Sequence, residues 1–408
     1  MTTANVAART SIALTVIGLL AVGALAIVKP SNGNIAAAGI AVALFTINVL
    51  IVSASRHVQG PRMFPRWYGV AVVSAILVVL AAREVINGWS DGFPGASAVA
   101  LVAVPVALMA AVEVPLLRAR QLHGVTGATL LHTGALAPFS TLALDGTDTL
   151  VKGKVVSSVD PVDEDHLRNL RWFAGALAHA ADTPLAHAVA ALSGRGNVTG
   201  AVALDDEISG SVDRHPVRLS LTSDAAGALA MSGPWDVVSV EVDGRPLGTL
   251  TIADAVRPAA ADRIARLSGN GIATVLVAAP EDTRAGAIAS QVGCLIVNAP
   301  PPGSAVVTSA DESALSIAPP QALRLGPQSE QLRLAEASID GAADAVFLCT
   351  AVVAATRRGT TLALGITTVG ALLASVGILA PWAAGTVALA SVAAVSATAW
   401  FGVSPASE

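Results

Sequence analysis

A carboxylate does chemistry when a fold holds it at the mouth of a sheet, and Asp145 is placed to be held that way. It closes the apolar run Thr141–Leu144, and Gly146, Thr147, Asp148, Thr149 and Leu150 follow, with Gly153 and Lys154 shortly after. A strand followed by such a turn sets the acid where α/β sheets bind ligands, and there a carboxylate can attack a phosphoryl group to give an aspartyl-phosphate. A plainer reading keeps Asp145 as a strand-end carboxylate hydrogen-bonded to nearby backbone amides. Glu113, in AAVEVPLL, is an acid within an apolar run and stands beside Pro115. It is an intramembrane ion candidate, because a proline can unwind a helix and buried membrane carboxylates are costly unless functional. Arg118 lies close behind it, which argues instead for a paired or solvated position near the interface. His179 and His187 have no cysteine or carboxylate at a supporting spacing, so no metal site is expected. Cys294 and Cys349 read as ordinary thiols of a reducing compartment.

These residues need a membrane and a sheet to position them. Runs of about 20 mostly apolar residues suffice to cross a bilayer, and they occur near residues 11–28, 35–52, 67–86, 97–117, 360–380 and 383–403. The first two are separated by the turn Lys29–Gly33 and read as a helical hairpin rather than a signal peptide. Arg56, His57, Arg62, Arg66, Arg118, Arg120, Arg357 and Arg358 all fall in loops on one side of this arrangement. The positive-inside rule then places those loops, Arg9 and both termini in the cytoplasm. The expectation is six spans in a 4+2 order: 1–120 with four spans, 121–160 and 239–356 as the two parts of an α/β domain, 161–238 as a cap, and 357–408 with two spans. Within the insert, Thr141–Leu144, Val237–Val242, Ile272–Val277 and Val306–Thr308 have strand length, while His166–His179 and Ala259–Leu267 look helical. Such alternation predicts a doubly wound parallel sheet with an inserted piece.

Composition agrees with a membrane protein. Of 408 residues, 53% are hydrophobic and 13% charged, and the mean hydropathy is +0.66, so a purely soluble chain is excluded. A net charge of −5 and 3% aromatics offer no footprint for nucleic acid. Two cysteines cannot build a disulfide framework.

The stretch LALDGTDTLVKGK resembles the DKTGTLT motif of P-type ATPases with its following Gly-Lys pair. Thr183, Pro184, Leu185 and Ala186 are similar to the family's HPLA, and Gly248–Gly293 resembles the run from D-x-x-R-P through TGD to QVG, retaining Asp254, Arg257, Pro258, Gly271 and Gly293. Val306–Leu315 falls where GDGxNDAPAL belongs. The resemblance implies a membrane α-helical protein with a cytoplasmic α/β domain of haloacid-dehalogenase type carrying a reduced nucleotide-domain-like cap, in a bacterial inner membrane.

It does not imply activity. Gly146 stands for the motif's lysine, Asp148 for its glycine, Ala278 for the TGD threonine and Val307 for the first aspartate of GDGxND; Asp311 keeps the second. Lys154 is the last lysine of the chain, and phosphoryl transfer depends on such positioned charge. The nucleotide relics are Thr183, which replaces the HP histidine, Pro184, and Gly210, the last glycine of a GxGxxG that otherwise reads Asp205, Asp206, Glu207, Ile208, Ser209. Those three carboxylates would repel a triphosphate. Residues 53–66 are too few to hold the family's actuator domain between spans two and three. The expected function is therefore a catalytically silent scaffold, accessory or regulatory subunit whose partners are the lipid bilayer and another membrane protein or a second copy. No cofactor is expected. The alternative is an atypical ATP-driven cation transporter with Asp145 as phosphoacceptor, and Mg2+ and ATP belong to that reading alone.

Overall fold

The computed structural model describes residues 3–54, 68–87, 89–122, 127–204, 206–221, 235–308, 323–326 and 329–403. It divides into two compact units: Met1–Pro138 with Leu323–Glu336 and Gly341–Glu408, and Phe139–Ala322 with Ala337–Asp340.

The first unit is a helical bundle of α1 (Thr3–Val28), α2 (Asn32–Ala54), α3 (Tyr68–Asn87), α4 (Trp89–Val102), α5 (Val106–Gln121), α10 (Ile339–Ser375) and α11 (Pro381–Gly402). Five apolar helical segments among the described residues are long enough to cross a membrane: Ser11–Val28, Asn32–Ser53, Phe93–Gln121, Ile339–Ser375 and Pro381–Gly402. The third expected span, α3, carries a shorter apolar stretch, Ala71–Ala82. The hairpin between α1 and α2 turns where the sequence placed it, with the Asn34 side chain donating to the Lys29 carbonyl at 2.7 Å.

Two expectations change in the bundle. The fourth expected span is two helices, because Pro105 has no amide hydrogen to continue the ladder. Ala103 closes α4 on Val99, and α5 restarts with Met109 donating to the Pro105 carbonyl at 2.9 Å. The fifth expected span falls in the distal part of a 37-residue helix that starts at Ile339, well before Arg357. Glycines and alanines let these helices approach: a Cβ on Gly370 would lie 2.7 Å from Val102, one on Gly385 2.8 Å from Ile40, and one on Gly359 3.1 Å from Ala111. The unit also contains three strands, of which β1 (Ala128–Leu130) runs antiparallel to β13 (Leu332–Leu334), itself parallel to β12 (Leu323–Gly326).

In the second unit, β2 (Thr141–Asp145), β9 (Ala273–Val277), β10 (Leu295–Val297) and β11 (Ala305–Val307) form parallel pairs in the order β11-β2-β9-β10. The helices α8 (Ala260–Gly269) and α9 (Thr283–Val292) follow β8 and β9 along the chain. Leu142, Ala143 and Leu144 are fully buried, which is why this run is unbroken by polar residues, as expected of a strand covered on both faces.

The rest of the unit is an antiparallel sheet of six strands: β3 (Val151–Pro161), β8 (Arg245–Val256), β7 (Trp235–Val242), β6 (His215–Leu221), β5 (Glu207–Val212) and β4 (Val198–Ala203), in that spatial order. Val237–Val242 thus pairs in the cap and not in the parallel sheet. The run shows the alternating burial of a strand with one covered face. Helices α6 (Leu167–Ala178) and α7 (Pro184–Ala190) share its core with Ile208, Leu219, Val240 and Ile252. Tight turns at Asp213–Arg214 and Asp243–Gly244 have positive φ at both residues, the geometry that matches the twist of a two-residue hairpin.

Candidate functional site

Asp145 ends β2 in register with Val277 of β9, and the Gly146 amide donates to the Val277 carbonyl at 3.3 Å. The chain then turns through Gly146 at φ 82°, ψ 161° into a short 3-10 helix, Thr147–Thr149, with the Thr149 hydroxyl donating to the Gly146 carbonyl at 2.9 Å. That backbone conformation is essentially reserved for glycine. A lysine substituted at residue 146 would therefore be strained in this turn.

The Asp145 carboxylate accepts a hydrogen bond from the Thr308 hydroxyl at 3.1 Å. Val307 pairs with Leu144 and is fully buried, so the residue facing Asp145 is Thr308, not the Val307 that motif counting singled out. A strand's side chains alternate, and a shift of one residue changes the face. Asp311 lies outside the described residues. Among the described residues no group of three His, Cys, Asp or Glu could hold a metal ion.

Other retained charges are engaged by partners that sequence reasoning did not single out: Asp236, Arg284 and Asp340. Lys154 on β3 is ion-paired with Asp236 on β7. Arg284, in the first turn of α9, grips Asp254 in a bidentate pair, Nη2 donating to Oδ1 at 2.7 Å and Nε to Oδ2, and lies 3.7 Å from Asp236. The Asp254 hydrogen bond holds the Arg284 guanidinium above its ordinary pKa. Lys154 and Asp254 are direct cross-strand partners, so the four side chains form one alternating network at an end of the cap sheet. Arg257, nearly buried, reaches to within 4.0 Å of Asp340, and Arg263 lies 3.9 Å from the same carboxylate.

The nucleotide relics have structural duties. Thr183 caps α7, its hydroxyl accepting from the Ala186 amide at 3.1 Å, and Pro184 occupies the first turn, where it needs no amide partner. Gly210 sits in β5 where a Cβ would come within 2.8 Å of Leu177. Of the three expected carboxylates, Asp205 lies outside the described residues, Asp206 is exposed, and Glu207 is paired with Arg218 at 2.7 Å. That hydrogen bond lowers the Glu207 pKa, so Glu207 is a neutralised charge and not a free repulsive one. His187 pairs with Asp182 at 3.0 Å and the His179 ring contacts the Ser193 carbonyl at 3.0 Å. Cys294 is half-buried, and burial raises its thiol pKa.

In the bundle, Glu113 is 2% exposed on α5, so of the two placements expected for it, paired or solvated, burial excludes the solvated one. Ser391 on α11 is buried, and its hydroxyl has no hydrogen-bond partner among the described residues. A polar cluster that the sequence reading passed over joins α1 to α2: the Asn48 amide nitrogen donates to Ser11 Oγ at 3.0 Å and Thr15 Oγ1 at 2.9 Å, all three residues buried. The signal was present, since Asn48 interrupts an otherwise apolar run. The basic loop residues Arg56, His57, Arg62 and Arg66 lie outside the described residues.

No family model matches the chain. Its sequence is 30% identical over 245 residues to a copper-exporting P-type ATPase of Mycobacterium tuberculosis, covering 54% of this chain and 32% of that protein. It is 31% identical over 189 residues to cation-transporting P-type ATPase B of Mycobacterium bovis, covering 41% and 25%. The chain spans about a third or less of the length of these curated relatives. In fold it is similar to the crystal structure of a zinc-transporting PIB-type ATPase, with a TM-score of 0.64 at 20% identity over 89% of this chain and 67% of that one. The chain is P-type ATPase-like.

Proposed function

We propose that this chain is a catalytically silent P-type ATPase-like membrane protein, acting as a scaffold, accessory or regulatory subunit. In this reading six spans in a 4+2 order anchor a cytoplasmic domain of haloacid-dehalogenase type with a reduced cap, and both ends face the cytoplasm. The observation that carries it is the turn after Asp145. Gly146 adopts a conformation closed to lysine, and the carboxylate is occupied by a threonine hydroxyl. Transferring a phosphoryl group needs cations fixed around it, and Lys154 and Arg284 are held by Asp236 and Asp254 instead.

The test compares the purified protein with Asp145→Ala for magnesium-dependent ATP turnover and for an acid-stable, hydroxylamine-sensitive phosphoenzyme. Equal backgrounds support silence, and any phosphoenzyme lost in Asp145→Ala refutes it. Co-purification from native membranes in mild detergent identifies the scaffold's partner.

The rival reading, an ATP-driven cation transporter, draws on the helix break at Pro105 together with the buried Glu113 and Ser391. Broken membrane helices and buried acids mark ion paths in other transporters, and the copper-exporting and cation-transporting relatives keep this reading open. A cation flux in proteoliposomes abolished by Glu113→Gln would establish it.

A further inference from the structure

Beyond their part in the expected membrane orientation, Arg357 and Arg358 have no role in anything described so far. Both are exposed on α10, and neither has a carboxylate partner among the described residues. Their depth follows from packing within the bundle. A Cβ on Gly402, the last residue of α11, would lie 3.3 Å from Ala355 of α10, while Gly359 meets Ala111 and Val395. Moving from Ala355 toward Gly359 is moving into the bundle. At 1.5 Å per residue, Arg357 and Arg358 lie about 3–5 Å deeper than the level where α11 ends. That end is marked by Trp400, whose ring carries the Arg118 guanidinium 4.8 Å from its centroid, and tryptophan concentrates at the headgroup level of a bilayer.

The face these arginines occupy is the outer one. Leu362, Val369 and Leu372 follow Arg358 at helical spacing and are 36%, 58% and 63% exposed, and a Cβ on Gly365 would meet nothing within 4 Å. A guanidinium at such a depth runs its apolar stem along the helix and sends its charge outward to the headgroups. Two guanidiniums on adjacent residues, without a carboxylate partner among the described residues and each a planar fork suited to phosphate oxygens, make a strongly positive patch among lipid-facing side chains. Charge complementarity selects an anionic occupant.

We propose that Arg357 and Arg358 dock the phosphate of an anionic phospholipid headgroup on the outer face of α10. The reading needs only that the bundle lies in a membrane, and it stands whether or not Asp145 is catalytic.

The full-length protein is equilibrated in micelles containing equal amounts of phosphatidylcholine and phosphatidylglycerol, washed, and its retained lipid counted by mass spectrometry. The wild-type protein should retain phosphatidylglycerol preferentially, by about fivefold for each arginine engaged. Arg357→Gln with Arg358→Gln should lower the preference, Arg357→Lys with Arg358→Lys should keep part of what the glutamines lose, and Arg245→Gln, in a cap hairpin, should leave it intact. If the double glutamine variant does not fold, Arg357→Gln and Arg358→Gln are measured singly, and each should lower the ratio. Equal retention of the two lipids by the wild-type protein would overturn the proposal, as would an undiminished preference in folded glutamine variants.

Discussion

Removing either side of the Asp254–Arg284 pair should destabilise the end of the cap sheet, and the two removals should differ in a way set by Asp236. Hydrogen bonds between charged groups contribute about 1.5–3 kcal/mol, and Asp254 is only 11% exposed. Arg284 is 32% exposed, so solvent screening holds the estimate toward the lower part of that range. Asp254→Ala leaves Arg284 with a second carboxylate 3.7 Å away, and the expected loss is about 2 kcal/mol. Arg284→Ala strips the cation from two carboxylates, Asp254 and Asp236, that then share Lys154 alone. Leaving a largely buried charge uncompensated costs more, about 3 kcal/mol here. Hydrogen exchange followed by mass spectrometry on the full-length protein in mild detergent reads these losses locally, on peptides spanning β7 and β8. Two kcal/mol corresponds to about thirtyfold faster exchange through opening. The double variant should recover about 1–2 kcal/mol relative to the sum of the single losses, because contacting residues couple. Losses that add to within about 0.5 kcal/mol would refute the claim that these residues form one network.

Gly248→Ala places a methyl group 2.6 Å from the Asp160 carbonyl oxygen and 2.6 Å from Leu170, and should destabilise the cap by about 2–3 kcal/mol by the same exchange measurement. In the bundle, Gly370→Leu collides with Val102 whereas Gly365→Leu meets open space, so size-exclusion profiles should show aggregation of the first and a normal peak for the second. Glu207 has its pKa lowered by Arg218, so its stabilising effect is present above its ordinary value of 4.5 and is lost as the pH falls through the lowered one. The melting-temperature difference between the wild-type protein and Glu207→Gln should accordingly be present at neutral pH and vanish in acid. Gly146→Lys, which restores the motif's lysine in a strained backbone, should lower the melting temperature without producing a phosphoenzyme.

Features that depend on neighbours along the chain were legible in the sequence. The hairpin turn at Lys29–Gly33, the β2 strand ending at Asp145 and the amphipathic α6 all declare themselves through local periodicity and turn residues. What depends on distant residues was not. Asp236 and Arg284 are ordinary charges until β7 and α9 bring them to Lys154 and Asp254, residues separated from them by as many as 82 positions. The facing of Thr308 on Asp145 needed the register of β11 on β2, which no local pattern supplies. The break at Pro105 was hidden because its flanks are as apolar as the helices it divides. Val237–Val242 has the length and composition of either kind of strand, and its partners alone decide which.

The Ser11–Thr15–Asn48 cluster bears on how the chain enters a membrane. An asparagine amide carried into hydrocarbon without a partner loses its hydrogen bonds to water and gains nothing, at a cost of several kcal/mol. Asn48 finds its partners on the preceding helix, across the turn at Lys29–Gly33. Serine and threonine on α1 can meanwhile satisfy themselves on their own backbone, as Thr15 does with the Ser11 carbonyl at 2.7 Å. Order of synthesis and order of need therefore agree: α1 can wait in lipid alone, while α2 is cheapest to insert once α1 is already beside it. The pair is also held in register, since sliding either helix by one turn would leave the amide at most one of its two hydroxyl partners.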